Sequence, residues 1–480
     1  MTRRPFPTCA ASLLLLLACV TGLAFARGDD PLPVPLAQAL RSADIPASGV
    51  AVFVQEAGAR KPKVSFNASQ PMNPASVMKL VTTYAALELL GPAYTWRTEA
   101  YVVGRLADGV LDGDLVLKGS GDPKLSFEQF WLLLRSLRAR GLQHIHGDLV
   151  LDRSRFAPAP HDPAAFDGEP LAAYNVGADA LLLSFKAVQL TLVPDAGEAA
   201  VAVLTEPQPA QLDVLNLLKL GNGPCGDWKD AVRADLADHG ATARLVLTGT
   251  FPAACGERIW SLGVLSHPEF VLGVFRRVWS ELGGTLKGGV RDGVVPEGAI
   301  PLASIASPSL AEVVRDINKL SNNVMARQLF LTLGAENGGA PAREADADAA
   351  IRAWLKRKGL DFPELTLENG SGLSRRERIS AESLGRLLQA AYRSPVMPEF
   401  IASLPLTAVD GTMKRRLHGN GIAGRAHVKT GTLEGAKSIA GYVLDKDGRH
   451  WVVVFLVNHP HAGAARAAQD ALLQWIYDRD

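Results

Sequence analysis

The chain has 480 residues, 48% of them hydrophobic and 21% charged, an ordinary globular balance whose length suggests two to four domains. A formal charge of +1 without any basic run excludes the electrostatic footprint of a nucleic-acid binder. Past the N-terminal leader, no stretch approaches the ~20 apolar residues of a membrane-spanning helix.

Residues 1–26 read as a secretory signal peptide. Arg3 and Arg4 form its positive start, Ala10 to Val20 its apolar stretch, and Ala24-Phe25-Ala26 a cleavage site. Losing its two arginines takes the charge from +1 to −1. Leu16-Leu17-Ala18-Cys19 offers a rival reading, in which Cys19 carries a lipid anchor. Cys9 and Cys19 lie in the leader, so an exported chain keeps Cys225 and Cys255, which are expected to form a disulfide. Two cysteines cannot by themselves make a structural zinc site.

Leu36 to Leu40 look helical, and two strand-like runs follow, Gly49 to Gln55 and Lys63 to Asn67. A helix then starts at Asn73-Pro74 and stops at Gly91-Pro92. Val77, Leu80, Val81, Tyr84, Leu87 and Leu90 leave it little polar face, so it is expected to be buried with only its N-terminal end open. From 98 to about 264 short strands alternate with Gly, Pro and Asp turns: Leu111 to Lys118, His144 to Asp152, Ala187 to Val193, Val201 to Thr205 and Ala243 to Thr250. Phe127 to Arg140 is the clearest helix there, and the turn-rich segment 157–170 looks like a domain junction. Helical pattern resumes at His267 to Leu282, at Ser307-Pro308 through Lys319, from Asn322 to Leu333, and from a Ser380 cap to Tyr392. Three strands close the chain, Ala426 to Leu433, Ser438 to Leu444 and Trp451 to Asn458, followed by a helix over Ala464 to Tyr477. The two ends thus share one style, helices around a small antiparallel sheet, with a mostly β middle looped out between them.

Ser76 and Lys79 form an S-x-x-K at the open end of the buried helix. Residues i and i+3 share a helix face, so the amine lies one turn from the hydroxyl. Burial disfavours a charged lysine and so prepares it as a base for a weak nucleophile. Ser321-Asn322-Asn323 is an S-x-N at a helix junction, and Lys429-Thr430-Gly431 is a K-T-G on a strand, followed by Thr432. Ser321 can relay a proton between Lys79 and a leaving amine, and Asn323 can hold a substrate amide. Lys429 favours a terminal carboxylate, to which Thr430 and Thr432 offer hydroxyls. Gly431 lets substrate lie against the strand, and the backbone N–H groups of Ser76 and Thr432 are candidates for an oxyanion hole. The motifs alone do not settle which group is the acylation base; Lys79 is the candidate taken here.

His144 and His146, and His459 and His461, have metal-capable spacing but no evident third ligand, and are read as surface histidines. No cofactor is implied, and no metal.

In order along the chain, S-x-x-K, S-x-N and K-T-G are the signature of the penicillin-recognising serine peptidases. With "LVLKGSGDPKL", "YNVGADALLLSF", "NGSGLSRRERIS" and "SLPLTAVDGTMKRRL" beside them, the chain resembles the D-alanyl-D-alanine carboxypeptidase/endopeptidase branch of low-molecular-mass penicillin-binding proteins. The resemblance implies an α/β (α+β) fold: a β-lactamase/transpeptidase-like domain with a five-stranded antiparallel sheet, over 27–97 and 265–480, and an insertion forming two smaller domains, 98–172 with 245–264 and 173–244. It implies a periplasmic enzyme that removes terminal D-Ala from peptidoglycan stem peptides ending in D-Ala-D-Ala, cuts D-alanyl-diaminopimelyl cross-links, and is acylated by β-lactam antibiotics. Homodimers also occur in that branch. Arg375 becomes a candidate contact for the diaminopimelate side chain, Ser371 a pocket-lining residue, and Asp167 a partner for that side chain's amine. A β-lactamase and a catalytically silent wall-binding protein are the alternatives. The long Ser76 to Ser321 spacing weighs against the first, and intact Ser76 and Lys79 against the second.

Overall fold

The computed structural model describes residues 1–2, 31–195, 197–238, 242–419 and 421–479. Residues 3–26 of the signal peptide, with Cys9 and Cys19, lie outside the described residues.

Five antiparallel strands form the central sheet, in the order Ala426–Leu433, Ala436–Leu444, His450–Asn458, Val50–Glu56 and Val64–Phe66. The N-terminal hairpin therefore pairs with the C-terminal strands, as the shared style of the two ends predicts. Both faces of the sheet are covered, and strand alternation divides the side chains between them. Ala51 and Phe53, with Val452, Val454 and Leu456, enter one core, together with the helices Lys79–Leu90, Leu310–Leu320, Asn323–Gly338 and Ala381–Tyr392. Val50, Val52 and Val54, with Val453, Phe455 and Val457, enter the other, under the helices Val34–Ser42 and Arg466–Tyr477. The strand carrying K-T-G is an edge strand; residues 405–407 bridge to its first part at 426–428, and among the described residues no strand pairs with its outer side beyond that.

The insertion is longer than the sequence suggests. Ile300–Ala306 pairs with Arg97–Ala107 in a seven-stranded sheet that also holds 110–119, 144–145, 149–152, 285–286 and 290–292. The helix His267–Glu281 buries Phe270, Val274, Phe275 and Val278 in that lobe's core, not against the central sheet. The inserted part thus returns near 306 rather than at 264. Ala243–Pro252 pairs with 212–216, 219–221 and 232–238, and Arg258–Leu262 pairs with Val188–Asp195, while Leu245, Leu247, Leu262 and Val264 pack into the core under the seven-stranded sheet. An amphipathic helix or an alternating strand announces that it has an apolar face, but not which sheet that face will cover. Within the insertion Cys225 and Cys255 are joined as a disulfide.

Local differences follow the same logic. The expected strand His144 to Asp152 is two short strands separated at Gly147, whose Cα packs on Gly113. The helix expected from Ser307-Pro308 is capped one residue later, by the reciprocal Ser309 and Glu312 bonds.

Candidate active site

The segment carrying Ser76 is a tight 3-10 turn, Ala75–Met78, before the regular helix begins at Lys79. Asn73 builds the turn rather than capping a helix. Its Oδ1 accepts from the Ala75 N–H at 2.9 Å, its Nδ2 donates to the Ser374 carbonyl at 2.8 Å, and its own N–H donates to Asn458 Oδ1 at 2.7 Å. Ser438 Oγ holds the Pro74 carbonyl at 2.5 Å. Ala75 sits at φ 48°, a strained value for a residue with a Cβ, and these bonds hold it there.

The three motifs meet in one place. Lys79 is fully buried, and its Nζ lies 2.9 Å from Ser76 Oγ, 2.6 Å from Asn323 Oδ1 and 2.5 Å from the Ser371 carbonyl oxygen. Two of these partners, the amide and peptide oxygens, can only accept. A neutral amine has two N–H donors and one lone pair, so both donors are taken and the lone pair faces the Ser76 hydroxyl. Burial first, then the Lys429 cation, hold the Lys79 amine well below the usual lysine range; Glu377 acts in the opposite sense and Arg327 adds to the lowering. The site is therefore a base aligned on a nucleophile.

Lys429, also fully buried, donates to Ser321 Oγ and to the Thr430 carbonyl, each at 2.7 Å. Ser321 closes the helix Leu310–Leu320 in the left-handed region, at φ 58°, which turns its side chain from that helix towards the strand. The expected relay from Lys79 through Ser321 is thus not what these bonds connect: the hydroxyl of Ser321 is joined to Lys429.

Burial pushes the Lys429 amine down to about 7. An unfolded lysine titrates near ~10.4, so between these values the unfolded chain binds the extra proton. Stability from this group is full above the unfolded value and falls as pH drops to about 7. Lys429→Met removes that dependence. The variant is expected to melt higher than the wild type at neutral pH, and the gap is expected to close towards pH ~10. Thermal unfolding at several pH values checks this; a gap that does not change with pH contradicts it.

The structure places the remaining candidates differently from expectation. Gly431 is required by the protein's own packing: a Cβ there would lie 2.2 Å from Ser438 Oγ and 2.7 Å from the Pro74 carbonyl oxygen, so glycine lets the K-T-G strand press onto the nucleophile turn. Ser371 contributes its carbonyl rather than its hydroxyl, which bonds Asn369 Oδ1 at 2.6 Å away from the cleft. Thr430 Oγ1 lies 2.7 Å from Thr412 Oγ1, and Thr432 Oγ1 accepts from Lys437 at 2.9 Å. Arg375 reaches the hairpin after K-T-G, bonding the Glu434 carbonyl at 3.3 Å and its carboxylate at 3.2 Å, with its guanidinium 4.8 Å from the Phe166 ring centre.

A cavity of about 430 Å³, lined by Asp162, Phe166, Arg327, Leu373 and Arg375 among others, lies on the outer side of the 369–376 loop and includes none of the three motifs' residues. Asp167 is not in that lining. Its carboxylate accepts from Tyr174 Oη and Asn175 Nδ2, each at 2.8 Å, within its own loop. Asp162, five positions earlier in that loop, lines the cavity together with Glu344 and Glu368, and nothing local in the sequence separates Asp162 from Asp167. Thr412, Glu377, Glu434 and Lys437 were also missed, since none belongs to a motif. The histidines set aside earlier have ordinary partners, Thr285 for His144 and Asp112 for His146.

Comparison with known proteins gives a consistent result. The model of the D-Ala-D-Ala carboxypeptidase 3 (S13) family matches residues 33–478. A D-alanyl-D-alanine carboxypeptidase of Actinomadura sp. (strain R39) is 31% identical over 425 residues, covering 85% of this chain and 77% of the relative. The crystal structure of penicillin binding protein 4 (dacB) from Haemophilus influenzae is similar with a TM-score of 0.77 at 22% identity, covering 93% of this chain and all of that one. The same protein complexed with a β-lactam gives 0.73 at 22% identity, with the same coverage.

Proposed function

The chain belongs to the D-Ala-D-Ala carboxypeptidase 3 (S13) family, and from that premise we propose how its site works, on which peptides, and where. It is a serine peptidase of the D-Ala-D-Ala carboxypeptidase type. Ser76 Oγ attacks the carbonyl carbon of the penultimate D-Ala while its proton passes to Lys79 Nζ. The peptide C–N bond then breaks, and the pair Lys429–Ser321 supplies the leaving nitrogen with a proton. Water then attacks the acyl carbon and gives one proton to Ser76 Oγ as the acid leaves; the proton held by Lys79 is lost to solvent and the Lys429–Ser321 pair regains one before the next turnover. The N–H groups of Ser76 and Thr432 hold the oxyanion, and Asn323 Nδ2, free of the Lys79 contact, donates to a substrate carbonyl. The terminal carboxylate lies against Thr430 and Thr432 within the field of Lys429. The observation that carries this reading is the Lys79 amine held between two acceptors with its lone pair on Ser76. A β-lactam enters the same position and acylates the same serine.

Cutting of cross-links belongs to this proposal as well. The open edge strand admits an extended peptide, and the cavity with Asp162 and Arg375 receives the side chain of a diaminopimelate residue, its amine near the acid and its carboxylate near the guanidinium. Arg375→Ala is then expected to reduce kcat/KM roughly tenfold more for a stem peptide bearing diaminopimelate than for one bearing a neutral residue there. Equal losses on both would remove Arg375 from recognition.

The disulfide and the N-terminal leader together support action outside the cytoplasm, in the periplasm. A second copy of the chain is a further partner in this reading, to be read from the protein's mass in solution by light scattering. Digestion of purified cross-linked muropeptides, with products identified by mass, tests the whole. Release of D-Ala is the expected carboxypeptidase product, and loss of dimers the expected endopeptidase product. Muropeptides left intact would refute the reading.

A further inference from the structure

Glu377 is a carboxylic acid with no exposure, in the loop that follows Ser371. Its Oε1 accepts three backbone N–H groups, from Glu368 at 3.1 Å, Asn369 at 3.0 Å and Gly370 at 2.9 Å. Those residues lead directly into the Ser371 carbonyl that holds Lys79 Nζ at 2.5 Å. The Gly370 carbonyl is fixed in turn by Thr82 Oγ1 at 2.7 Å, one helical turn past Lys79. The other oxygen, Oε2, is buried and has no hydrogen-bond partner. Burial pushes the Glu377 carboxyl up from its ordinary value, while the three N–H groups and the Lys79 amine pull it back towards the anion.

That charge has a use in the acylation step. When the proton of Ser76 moves to Lys79 Nζ, a neutral amine becomes an ammonium at a fully buried position. Lys429 and Arg327 oppose that ammonium, and Glu377 is the buried anion that favours it. Glu344, Glu377 and Glu368 act on Arg327 in turn, each favouring its charge. We propose that Glu377 is a positioning residue for Lys79: it sets the Ser371 carbonyl through the backbone of 368–370, and its unpartnered oxygen offsets the positive charge that Lys79 gains during acylation. The inference rests on Lys79 being the base. Ser371 and Glu377 act through Lys79, and neither needs to touch substrate.

Glu377→Gln keeps an acceptor for the three N–H groups and removes the charge. The readout is the second-order rate constant for acylation by a chromogenic cephalosporin, from about pH 5 to 10. In the wild type the rate is expected to rise with pH as Lys79 loses its proton. Without the anion that favours the protonated amine, that rise is expected to move to lower pH by about half a unit or more. The plateau is expected to fall roughly tenfold or more, because the ammonium has lost its counter-charge. A rise that stays at the wild-type pH, with rate and melting temperature falling together, would reduce Glu377 to a loop anchor and overturn the proposal. Glu377→Asp keeps the charge and withdraws it from the backbone, so its rate is expected to fall with the rise in place. Should the glutamine variant not fold, a displaced rise in the aspartate variant overturns the proposal instead. A wild-type rate independent of pH would strike the Lys79 reading itself, a different outcome from either.

Discussion

Replacing Lys79 with methionine is expected to slow acylation of Ser76 by ~10³-fold while leaving the protein folded. The reason lies in the count of donors and acceptors. The amine's two N–H groups are used by Asn323 and Ser371, which fixes the direction of the lone pair that receives the Ser76 proton. Methionine fills nearly the same volume in a fully buried position but accepts no proton there. Its two former acceptors lose their partner, which costs about 1–3 kcal/mol for each group left unsatisfied. The variant gives up the charge that burial disfavours, which offsets part of that loss. The check is the rate of labelling by a fluorescent penicillin, with the melting temperature measured alongside. A loss of less than about tenfold would mean that another group removes the proton.

The second large effect is steric. Gly372 has φ 79°, and a Cβ there would come within 2.0 Å of the Ala75 carbonyl oxygen and 2.8 Å of the Ser76 Cα. No side-chain rotation relieves a backbone contact, so Gly372→Ala must push the loop and the nucleophile turn apart. The left-handed conformation adds about 1–2 kcal/mol of its own. Displacing a nucleophile by ~1 Å can cost on the order of 100-fold in rate, so acylation is expected to fall by at least that much. Gly359→Ala is the control. Gly359 has φ 68° with nothing within 4 Å of the added carbon, so that change carries only the conformational strain and is expected to leave acylation near the wild-type rate. If the two variants acylate alike, the close approach at Gly372 is not what positions Ser76.

The chemistry of the site was more legible in the sequence than its surroundings, for a physical reason. Ser76, Lys79, Ser321, Asn323 and Lys429 lie in short motifs whose residue types are dictated by proton transfer, so each motif carries its meaning wherever the chain goes. The central sheet was legible because its strands are short continuous runs of β-branched and aromatic residues, as burial on both faces requires. What was not legible depends on contacts between distant segments. The helix His267–Glu281 has an apolar face like any other, and only the fold shows that it covers the inserted sheet. Gly431 reads as a substrate contact until Ser438 and Pro74 are found against it. Asp162 and Asp167 are equivalent in a turn-rich loop until Tyr174 and Asn175 engage one of them. Glu377 looks like one more charge in an Arg-rich run, and its burial under the loop that holds Lys79 appears only in three dimensions.

The central claim is that a neutral lysine and two distant motifs make Ser76 the acyl acceptor. Incubation with benzylpenicillin, followed by peptide mapping in the mass spectrometer, tests it most directly. One penicilloyl group per chain is expected, carried by the peptide that contains Ser76, and none on a Ser76→Ala protein that still folds. A penicilloyl group on any other residue, or one that persists in the Ser76→Ala protein, would contradict it.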